Sequence, residues 1–316
     1  MVKYFPVTKK GIIWSSVEGQ VHAVDNVSFS VGKGETLGLV GESGCGKTTV
    51  ARCILNLTSP TSGDVYFDQE NTTEIFRSKN KARILELRRK MQYIFQDPWA
   101  SLNPRWTVRD LVLEGINIHG TIPEDEQDEK LRELLHLVGL EEYHGERYPH
   151  EFSGGQRQRV VIARAIAVNP QFLAADEPVS MVDLSIRAQI LNLLQELQSK
   201  LNLSILYISH DLASVKHVSD RVAVMYLGKL VEVANSEEIF SSPLHPYTHA
   251  LLSAVPIPDP TSQKEVILLS GEVPSAIDPP TGCRFRHRCS YAMPKCEEEP
   301  LMRNVGHDHL VACWLV

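Results

Sequence analysis

The sequence lacks an apolar stretch long enough to cross a membrane, and it lacks an excess of positive charge. Its best apolar run, residues 160–168, is interrupted by Arg164, whereas a transmembrane helix needs about 20 apolar residues. The formal net charge of -7 offers no basic surface for nucleic acid or an anionic membrane. The opening segment MVKYFPVTKK has neither the apolar core nor the cleavage site of a secretory signal. We therefore expect a protein that works in the cytosol without a nucleic-acid partner.

The sequence also lacks C-x2-C pairs, the spacing that most strongly indicates zinc, although it has 6 cysteines. Four of them follow the spacing C-x5-C-x6-C-x16-C near the C-terminal end: Cys283, Cys289, Cys296 and Cys313. In a reducing compartment such a cluster favours a metal site over disulfides. Four thiolates suit either Zn²⁺ or a [4Fe-4S] cluster, and the nearby Arg284, Arg286, His287 and Arg288 would offset their charge. Free thiols or disulfides are the alternative.

Compact apolar runs predict an α/β core. Residues 36–40, 172–175 and 204–208 each end at a polar residue, which is typical of buried parallel strands. Residues 21–29 and 65–67 are rich in β-branched and aromatic side chains and predict antiparallel strands. Amphipathic segments between these strands, such as residues 128–138, predict helices.

The C-terminal part of the sequence has a different character. Residues 221–226 and 229–233 flank Leu227-Gly228 and predict a hairpin that closes the core. From Ser241 onward prolines recur too often for long regular elements, so we expect a loop-rich extension. The predicted domains are residues 1–235, with a mostly helical part at about 100–170, and residues 236–316.

A phosphate-binding loop occupies residues 41–48. The segment Gly-Glu-Ser-Gly-Cys-Gly-Lys-Thr fits G-x-x-x-x-G-K-[ST] and lies between a predicted strand and a predicted helix. Glycines let backbone N–H groups surround phosphate oxygens, Lys47 would reach the β- and γ-phosphates, and the Thr48 hydroxyl would bind Mg²⁺. The predicted nucleotide contacts here are Gly41, Ser43, Gly44, Cys45, Gly46, Lys47, Thr48 and Thr49. The Cys45 side chain itself is more simply a small, tolerated residue.

Two carboxylates follow the apolar strand at residues 172–175. In phosphate-loop enzymes an acid at this position completes the Mg²⁺ shell, so we assign Asp176 to the metal and Glu177 to the attacking water. His210 follows another buried strand and would lie at the same sheet edge, near the γ-phosphate. Gln96 ends a strand at residues 91–95 and would reach metal or water. Taken singly, a histidine or glutamine at such a place is more often structural.

A second anion-binding feature occurs at residues 153–156. Ser153 is a suitable N-cap, and the glycines that follow expose N–H groups to an anion. The predicted contacts are Ser153, Gly154, Gly155 and Gln156. Two phosphate sites in one chain suggest a head-to-tail dimer with the nucleotide between subunits, an inference that depends on the family resemblance described next.

In their order these motifs resemble the ATPase cassette of ABC transporters. The resemblance covers residues 1–235 and implies Walker A, Q-loop, signature, Walker B, D-loop and H-switch motifs. It identifies Asp183 as the D-loop acid, Glu177 as the catalytic glutamate and His210 as the switch histidine. Phe152 replaces the usual leucine of the signature, and the D-loop reads Ser-Met-Val-Asp. The implied fold is a phosphate-loop NTPase cassette with a RecA-like parallel core, an antiparallel β subdomain and a helical subdomain, followed by the loop-rich extension.

Segments outside the cassette motifs resemble oligopeptide/dipeptide importer ATPases. These segments are Phe-Gln-Asp-Pro-Trp-Ala-Ser-Leu-Asn-Pro at 95–104, His-Pro-Tyr-Thr at 245–248 and Gly-Cys-Arg-Phe at 282–285. Importers of this type have two ATPases, and residues 3–6 and 41–46 look closer to the second of them. The resemblance implies Mg²⁺ and ATP as ligands and favours a [4Fe-4S] cluster over Zn²⁺ in the tail. It also implies an aromatic residue that stacks on adenine, for which Tyr4, Phe5 and Trp14 are the candidates.

The implied function is ATP hydrolysis that energises import of oligopeptides, dipeptides or related solutes such as oligosaccharides. The expected partners are a homologous ATPase in a heterodimer, two permease subunits and, indirectly, an extracytoplasmic solute-binding protein, so the chain would lie at the cytoplasmic face of the cell membrane. A soluble ABC ATPase usually has two cassettes or a coiled-coil insertion, neither of which occurs here. An exporter ATPase is disfavoured by the tail, and a non-catalytic cassette by Glu177 and His210.

Overall fold

The computed structural model describes residues 1–10, 15–254, 267, 269 and 271–316. In chain order the elements are β1 (Lys3–Lys10), β2 (Ser15–Val24), β3 (Thr36–Val40), α1 (Lys47–Ile54), β4 (Tyr66–Phe67), β5 (Glu70–Asn71), α2 (Thr72–Arg77), α3 (Lys81–Lys90), β6 (Met91–Ile94), α4 (Pro98–Ser101), α5 (Val108–His119), α6 (Gln127–Leu137), α7 (Gly154–Ile166), β7 (Phe172–Asp176), α8 (Leu184–Leu201), β8 (Ser204–Ile208), α9 (Leu212–Val218), β9 (Arg221–Tyr226), β10 (Lys229–Asn235), α10 (Ser236–Ser241), α11 (Pro246–Ser253), β11 (Arg303–Asn304) and β12 (Leu310–Val311).

The chain forms two compact units. Unit 1 comprises Met1–Ser30, Leu37–Val65 and Ser209–Val316, and unit 2 comprises Val31–Thr36 and Tyr66–Ile208. Nowhere in the part of the chain that the structure describes is a helix both long and apolar enough to be a membrane span.

Unit 1 contains the predicted closing hairpin. Strand β3, buried at all five positions, pairs in parallel with β9, and β9 and β10 form the antiparallel hairpin. Strand β12 of the tail pairs antiparallel with β10 and with β11. A separate antiparallel pair, β1 and β2, contains the first part of the predicted strand 21–29. That strand ends at Val24 rather than Phe29, because Asn26 takes a left-handed φ of 53° that ends extended backbone.

The tail of unit 1 is more regular at its start than predicted. Helix α11 begins within the proline-rich stretch, because Pro246 occupies the first helical turn, where its missing N–H costs no hydrogen bond. The His245 side chain accepts a hydrogen bond from the Tyr247 backbone N–H and caps the same end. From residue 271 onward the tail consists of turns, 3₁₀ segments and the short strands β11 and β12, in agreement with a loop-rich extension.

Unit 2 contains three parallel strands in the order β6, β7, β8. Strand β7 is buried throughout, as expected of a parallel strand covered on both faces. The residues between β6 and β7 form helices α4 to α7, and α6 coincides closely with the predicted helix 128–138.

Helix α5 shows how local chemistry sets these boundaries. Thr107 and Asp110 form a reciprocal capping box at its start, and Gly120 with a φ of 59° ends it. The α5 residues Leu111, Val112 and Ile116 are almost fully buried, and α5 packs on α7. An ion pair between Glu114 and Arg164, 2.7 Å long, joins the same two helices.

Two isoleucines of α5 provide a matched test of this packing. Ile116 is 0% exposed and Ile118 is 60% exposed. We expect Ile116→Ala to lower the free energy of unfolding by about 2 to 5 kcal/mol, since it removes transfer free energy and leaves a cavity. Ile118→Ala should change it by about 0.5 kcal/mol at most. Urea unfolding followed by circular dichroism measures both, and equal effects would contradict the packing described here.

Candidate functional site

The phosphate-binding loop of unit 1 has a backbone that only glycine can follow at two positions. Gly41 and Gly46 have φ angles of 150° and 110°. A Cβ on Gly41 would lie 2.1 Å from the Met225 carbonyl oxygen, and one on Gly46 would lie 2.0 Å from that of Ala23. The loop therefore leaves β3 and enters α1 in close contact with its neighbours, with Ser43 and Gly44 exposed at its tip.

Lys47 is buried beneath this loop. Its Nζ donates hydrogen bonds to the carbonyl oxygens of Gly41, at 2.7 Å, and Glu42, at 3.0 Å. Cys45 is buried beside it, and that burial raises the pKa of the Cys45 thiol. Thr48 and Thr49 lie in the first turn of α1. The loop residues predicted from the sequence are thus brought together. The Lys47 ammonium already contacts the loop that is predicted to bind the phosphates.

Sequence reasoning missed two residues that hold Glu42 in this loop. The Arg288 Nη1 donates to both carboxylate oxygens of Glu42, at 3.0 and 2.9 Å. The backbone N–H of Glu42 donates to the Tyr247 hydroxyl at 2.9 Å. Because both partners lie in the tail, no local signal near the loop could have identified them.

In unit 2, Asp176 lies at the end of β7 and is 2% exposed. The Tyr93 hydroxyl donates a hydrogen bond of 2.6 Å to its Oδ2. Tyr93 belongs to β6, the strand that pairs with β7, and it was not predicted from the sequence. The hydrogen bond fixes the orientation of a carboxylate whose oxygens are ligands of the type that Mg²⁺ prefers.

Glu177 and Gln96 are also brought together in unit 2. The Gln96 Nε2 donates to the Glu177 Oε2 at 2.9 Å. Glu177 has a left-handed φ of 48°, and its backbone N–H donates to the Ile208 carbonyl oxygen at 2.9 Å. The arrangement fixes a carboxylate directly after the metal-type ligand Asp176, in the position where it can polarise water.

The predicted second anion site forms the start of α7. Ser153 and Gln156 make a capping box, with the Gln156 N–H 3.3 Å from the Ser153 Oγ and the Ser153 N–H 3.1 Å from the Gln156 Oε1. A Cβ on Gly155 would lie 2.3 Å from the Ile186 Cγ2 of α8, whereas Gly154 has ordinary contact distances. Asp183 precedes α8, exposed and without a capping hydrogen bond.

His210 and the aromatic candidates belong to unit 1. His210 is exposed and directly precedes Asp211, the residue that caps α9. The Tyr4 ring stacks on His22 at 4.0 Å and its hydroxyl donates to Asp25, and burial with this contact raises the pKa of Tyr4 to about 12. Phe5 is exposed, with the Lys3 ammonium 4.8 Å from the centre of its ring. Trp14 lies outside the described residues.

The four cysteines of the tail line one small pocket together with Phe285 and Trp314. They are free thiols, and the Cys283 N–H donates to the Cys296 carbonyl oxygen at 3.0 Å. Burial, reinforced by the other three cysteines, raises the pKa of Cys283 to about 11, and burial also raises the pKa of Cys289 and Cys313.

Sharing a pocket does not put these thiols in metal-binding geometry. Over the ranges that the structure describes, no three or more His, Cys, Asp or Glu side chains form a group that could hold a metal ion. Two of the four residues expected to offset thiolate charge are paired with carboxylates, Arg284 with Asp25 and Arg288 with Glu42, whereas Arg286 lines the cysteine pocket.

Comparison with known protein families finds two matching segments of the chain. A family model described as "ABC transporter" matches residues 24–180, and one described as "Oligopeptide/dipeptide transporter, C-terminal region" matches residues 231–296. The oligopeptide transport ATP-binding protein AppF of Bacillus subtilis is 49% identical over 316 residues, 99% of this chain and 94% of the relative. The oligopeptide transport ATP-binding protein OppF of the same organism is 55% identical over 247 residues, 78% of this chain and 80% of the relative.

A solved structure of similar fold is the dimeric ATP-binding cassette MJ0796 in a post-hydrolysis state with ADP and Pi. It has a TM-score of 0.62 and 29% identity, and the match covers 75% of this chain and 99% of the cassette. The fold class predicted from the sequence, a phosphate-loop NTPase cassette with parallel and antiparallel strands, is therefore confirmed.

Two loop glycines test the steric account of the phosphate-binding loop. Gly46→Ala combines a left-handed φ, which costs about 1 to 2 kcal/mol, with a clash against the Ala23 carbonyl. We expect it to lower ATP affinity by at least about tenfold. Gly44→Ala has a φ of 78° but open space around the new Cβ, so it should lose less affinity. Titration with a fluorescent ATP analogue measures both, and an equal loss would mean that the close contact is unimportant.

Proposed function

The chain belongs to the ATP-binding subunits of ABC transporters, and from this premise we propose that it hydrolyses ATP to energise import of oligopeptides or dipeptides. The observation that supports the ATPase activity best is the pair formed by Gln96 and Glu177 directly after Asp176. The support for peptide import is the pair of family matches, a cassette followed by an oligopeptide-type tail. An exporter or a soluble ABC ATPase has no comparable support.

Each loop residue has a definite role in this proposal. The N–H groups of residues 41–48 bind phosphate oxygens, because positive φ angles at Gly41, Gly44 and Gly46 curl the backbone around an anion. Lys47 exchanges its two carbonyl acceptors for the β- and γ-phosphates. Cys45 and Thr49 contribute backbone, and Ser43 remains exposed at the tip.

Hydrolysis is assigned to the carboxylates of unit 2. Asp176, Thr48 and Gln96 offer oxygen ligands that fit Mg²⁺, which would neutralise phosphate charge when bound. Glu177 polarises the attacking water and His210 contacts the γ-phosphate. Gln96 donates to Glu177 through its Nε2, so the amide oxygen Oε1 would be the atom that binds the metal.

The proposed organisation is a cassette at residues 1–235 and an extension at residues 236–316. The start of the second family match at residue 231 supports this boundary. The exposed residue Asp183 and the start of α7 at residues 153–156 would meet the nucleotide of a second ATPase subunit, which the dimeric relative supports. In this proposal the chain pairs with a second, homologous ATPase in a heterodimer. Two permease subunits complete the importer, and binding to them holds the chain at the cytoplasmic face of the membrane.

We propose further that the tail cysteines hold a [4Fe-4S] cluster, with Zn²⁺ as the alternative. Their common pocket supports the proposal, because it gathers thiols of the number and type that either metal centre needs, and the side chains would have to turn toward one another to bind it. The raised pKa values of Cys283, Cys289 and Cys313 mean that these three thiols are protonated without metal, so loading releases protons and favours higher pH. The residues that would hold the cluster are Cys283, Cys289, Cys296 and Cys313. By cross-linking these residues, the cluster would stabilise the fold of a tail with little apolar content.

The glutamate assignment predicts a separation of binding from hydrolysis. Glu177→Gln keeps the shape and the contact with Gln96 but loses the negative charge, so ATP hydrolysis should fall by about 100-fold or more while ATP still binds. Phosphate release measures the first property and equilibrium dialysis the second. The control is Glu142→Gln, which should keep normal hydrolysis. The Glu142 side chain is 73% exposed and forms only a long ion pair with Arg132. Normal turnover in the Glu177 variant would refute the assignment.

The cluster assignment predicts metal loss from one thiol. In protein purified without oxygen, Cys296→Ser should lower the metal content and the absorption near 400 nm, about four irons per chain being expected of the parent. Cys53→Ser changes a buried thiol of α1 and should keep both. Zinc without iron would make the tail a zinc clip, and a parent chain with neither metal would contradict the proposal.

A further inference from the structure

The tail residue Arg288 is joined to the phosphate-binding loop by a largely buried ion pair. Its side chain is 9% exposed and that of Glu42 is 24% exposed, and Nη1 lies within 3.0 Å of both carboxylate oxygens. The Arg288 Nε is buried and has no hydrogen-bond partner among the described residues. A buried guanidinium must be compensated, and Glu42 is the carboxylate that pairs with it, while the Tyr226 hydroxyl accepts a longer hydrogen bond of 3.5 Å from the same Nη1.

Glu42 in turn is held at every polar group. Arg288 binds its carboxylate, the Tyr247 hydroxyl accepts from its backbone N–H, and Lys47 donates to its carbonyl oxygen at 3.0 Å. Tyr247 is 0% exposed. The first residue after Gly41 therefore has its backbone fixed by one tail residue and its side chain by another.

The position of Arg288 depends on the cysteine segment. It ends a 3₁₀ turn, Arg286–Arg288, that directly precedes Cys289, and its N–H donates to the Phe285 carbonyl oxygen at 2.9 Å. Phe285 is 2% exposed and packs edge-on against Tyr226, with ring centres 5.3 Å apart. A change in the position or ligation of Cys289 therefore acts on the residue next to Arg288, whose guanidinium pairs with Glu42 of the loop.

We propose that Arg288 is a positioning residue for nucleotide binding, which couples the cysteine-containing tail to ATP affinity through Glu42. The inference rests on ATP binding by the loop, as proposed above. A loop already held in its binding shape loses less conformational entropy when phosphate binds, so the ion pair raises affinity. Because coupling free energies are reciprocal, ATP must protect the tail to the same degree that the tail favours ATP.

The first experiment compares two arginines of the same turn. Arg288→Met should weaken ATP binding by about fivefold or more, a typical size for coupling between sites. Arg286→Met makes the same chemical change at a side chain that hydrogen-bonds His287 and lines the cysteine pocket but is not part of the ion pair with Glu42, so its affinity should match the parent. Arg288→Lys, which keeps the charge, should recover part of the loss.

The second experiment approaches the ion pair from the loop. Glu42→Gln should weaken ATP binding by a similar factor, and the double variant Glu42→Gln with Arg288→Met should be no worse than the poorer single variant. If either single variant fails to fold, as judged by circular dichroism, the other still decides the question. Independent losses that multiply in the double variant would overturn the coupling.

The third measurement detects the coupling from the tail. In metal-free protein of the Glu177→Gln background, whose tail thiols are free, ATP should slow alkylation of Cys283 and Cys289, resolved by peptide mass spectrometry, and Arg288→Met should abolish this protection. A purely structural role of Arg288 would alter alkylation without making it depend on ATP. Unchanged ATP affinity in Arg288→Met, or protection that survives it, would overturn the inference. Absence of ATP binding in the parent chain would overturn the proposed function as well.

Discussion

The close approach of backbone to backbone around the phosphate-binding loop is the constraint on which unit 1 depends. Two carbonyl oxygens, of Ala23 and Met225, occupy the space where Cβ atoms would otherwise stand. The loop can be this tight only because β3 and β9 pair in parallel on one side and β2 ends at Val24 on the other. The position of Lys47 and the start of α1 follow from that fit.

Features encoded over a few consecutive residues could be predicted from the sequence. The loop at residues 41–48, the cap at Ser153 and the strand ending at Asp176 are of this kind, because each motif carries its own backbone requirements. Contacts between residues far apart in the sequence could not be predicted. Arg288 and Glu42 lie 246 positions apart, and nothing in either segment indicates the other. The early end of β2 was also missed, because aromatic and β-branched residues persist beyond the turn at Asn26.

Polar anchors help to attach the tail to the rest of unit 1. Glu232 of β10 is 0% exposed and accepts hydrogen bonds from the N–H groups of Leu244 and His245. The His309 Nε2 lies 2.7 Å from the same carboxylate. A buried carboxylate is tolerated only when its lone pairs are satisfied, and here residues from both ends of the tail satisfy them. A segment rich in proline and poor in long helices thereby acquires a defined position.

The left-handed backbone of Glu177 has a consequence for laboratory evolution. A residue with a Cβ at a φ of 48° stores about 1 to 2 kcal/mol, which glycine would not. Selection for heat resistance alone would therefore reward Glu177→Gly, a variant that relieves strain and discards the carboxylate. Screens for robust versions of this protein need a turnover criterion beside the thermal one, because at this position durability and chemistry favour different residues.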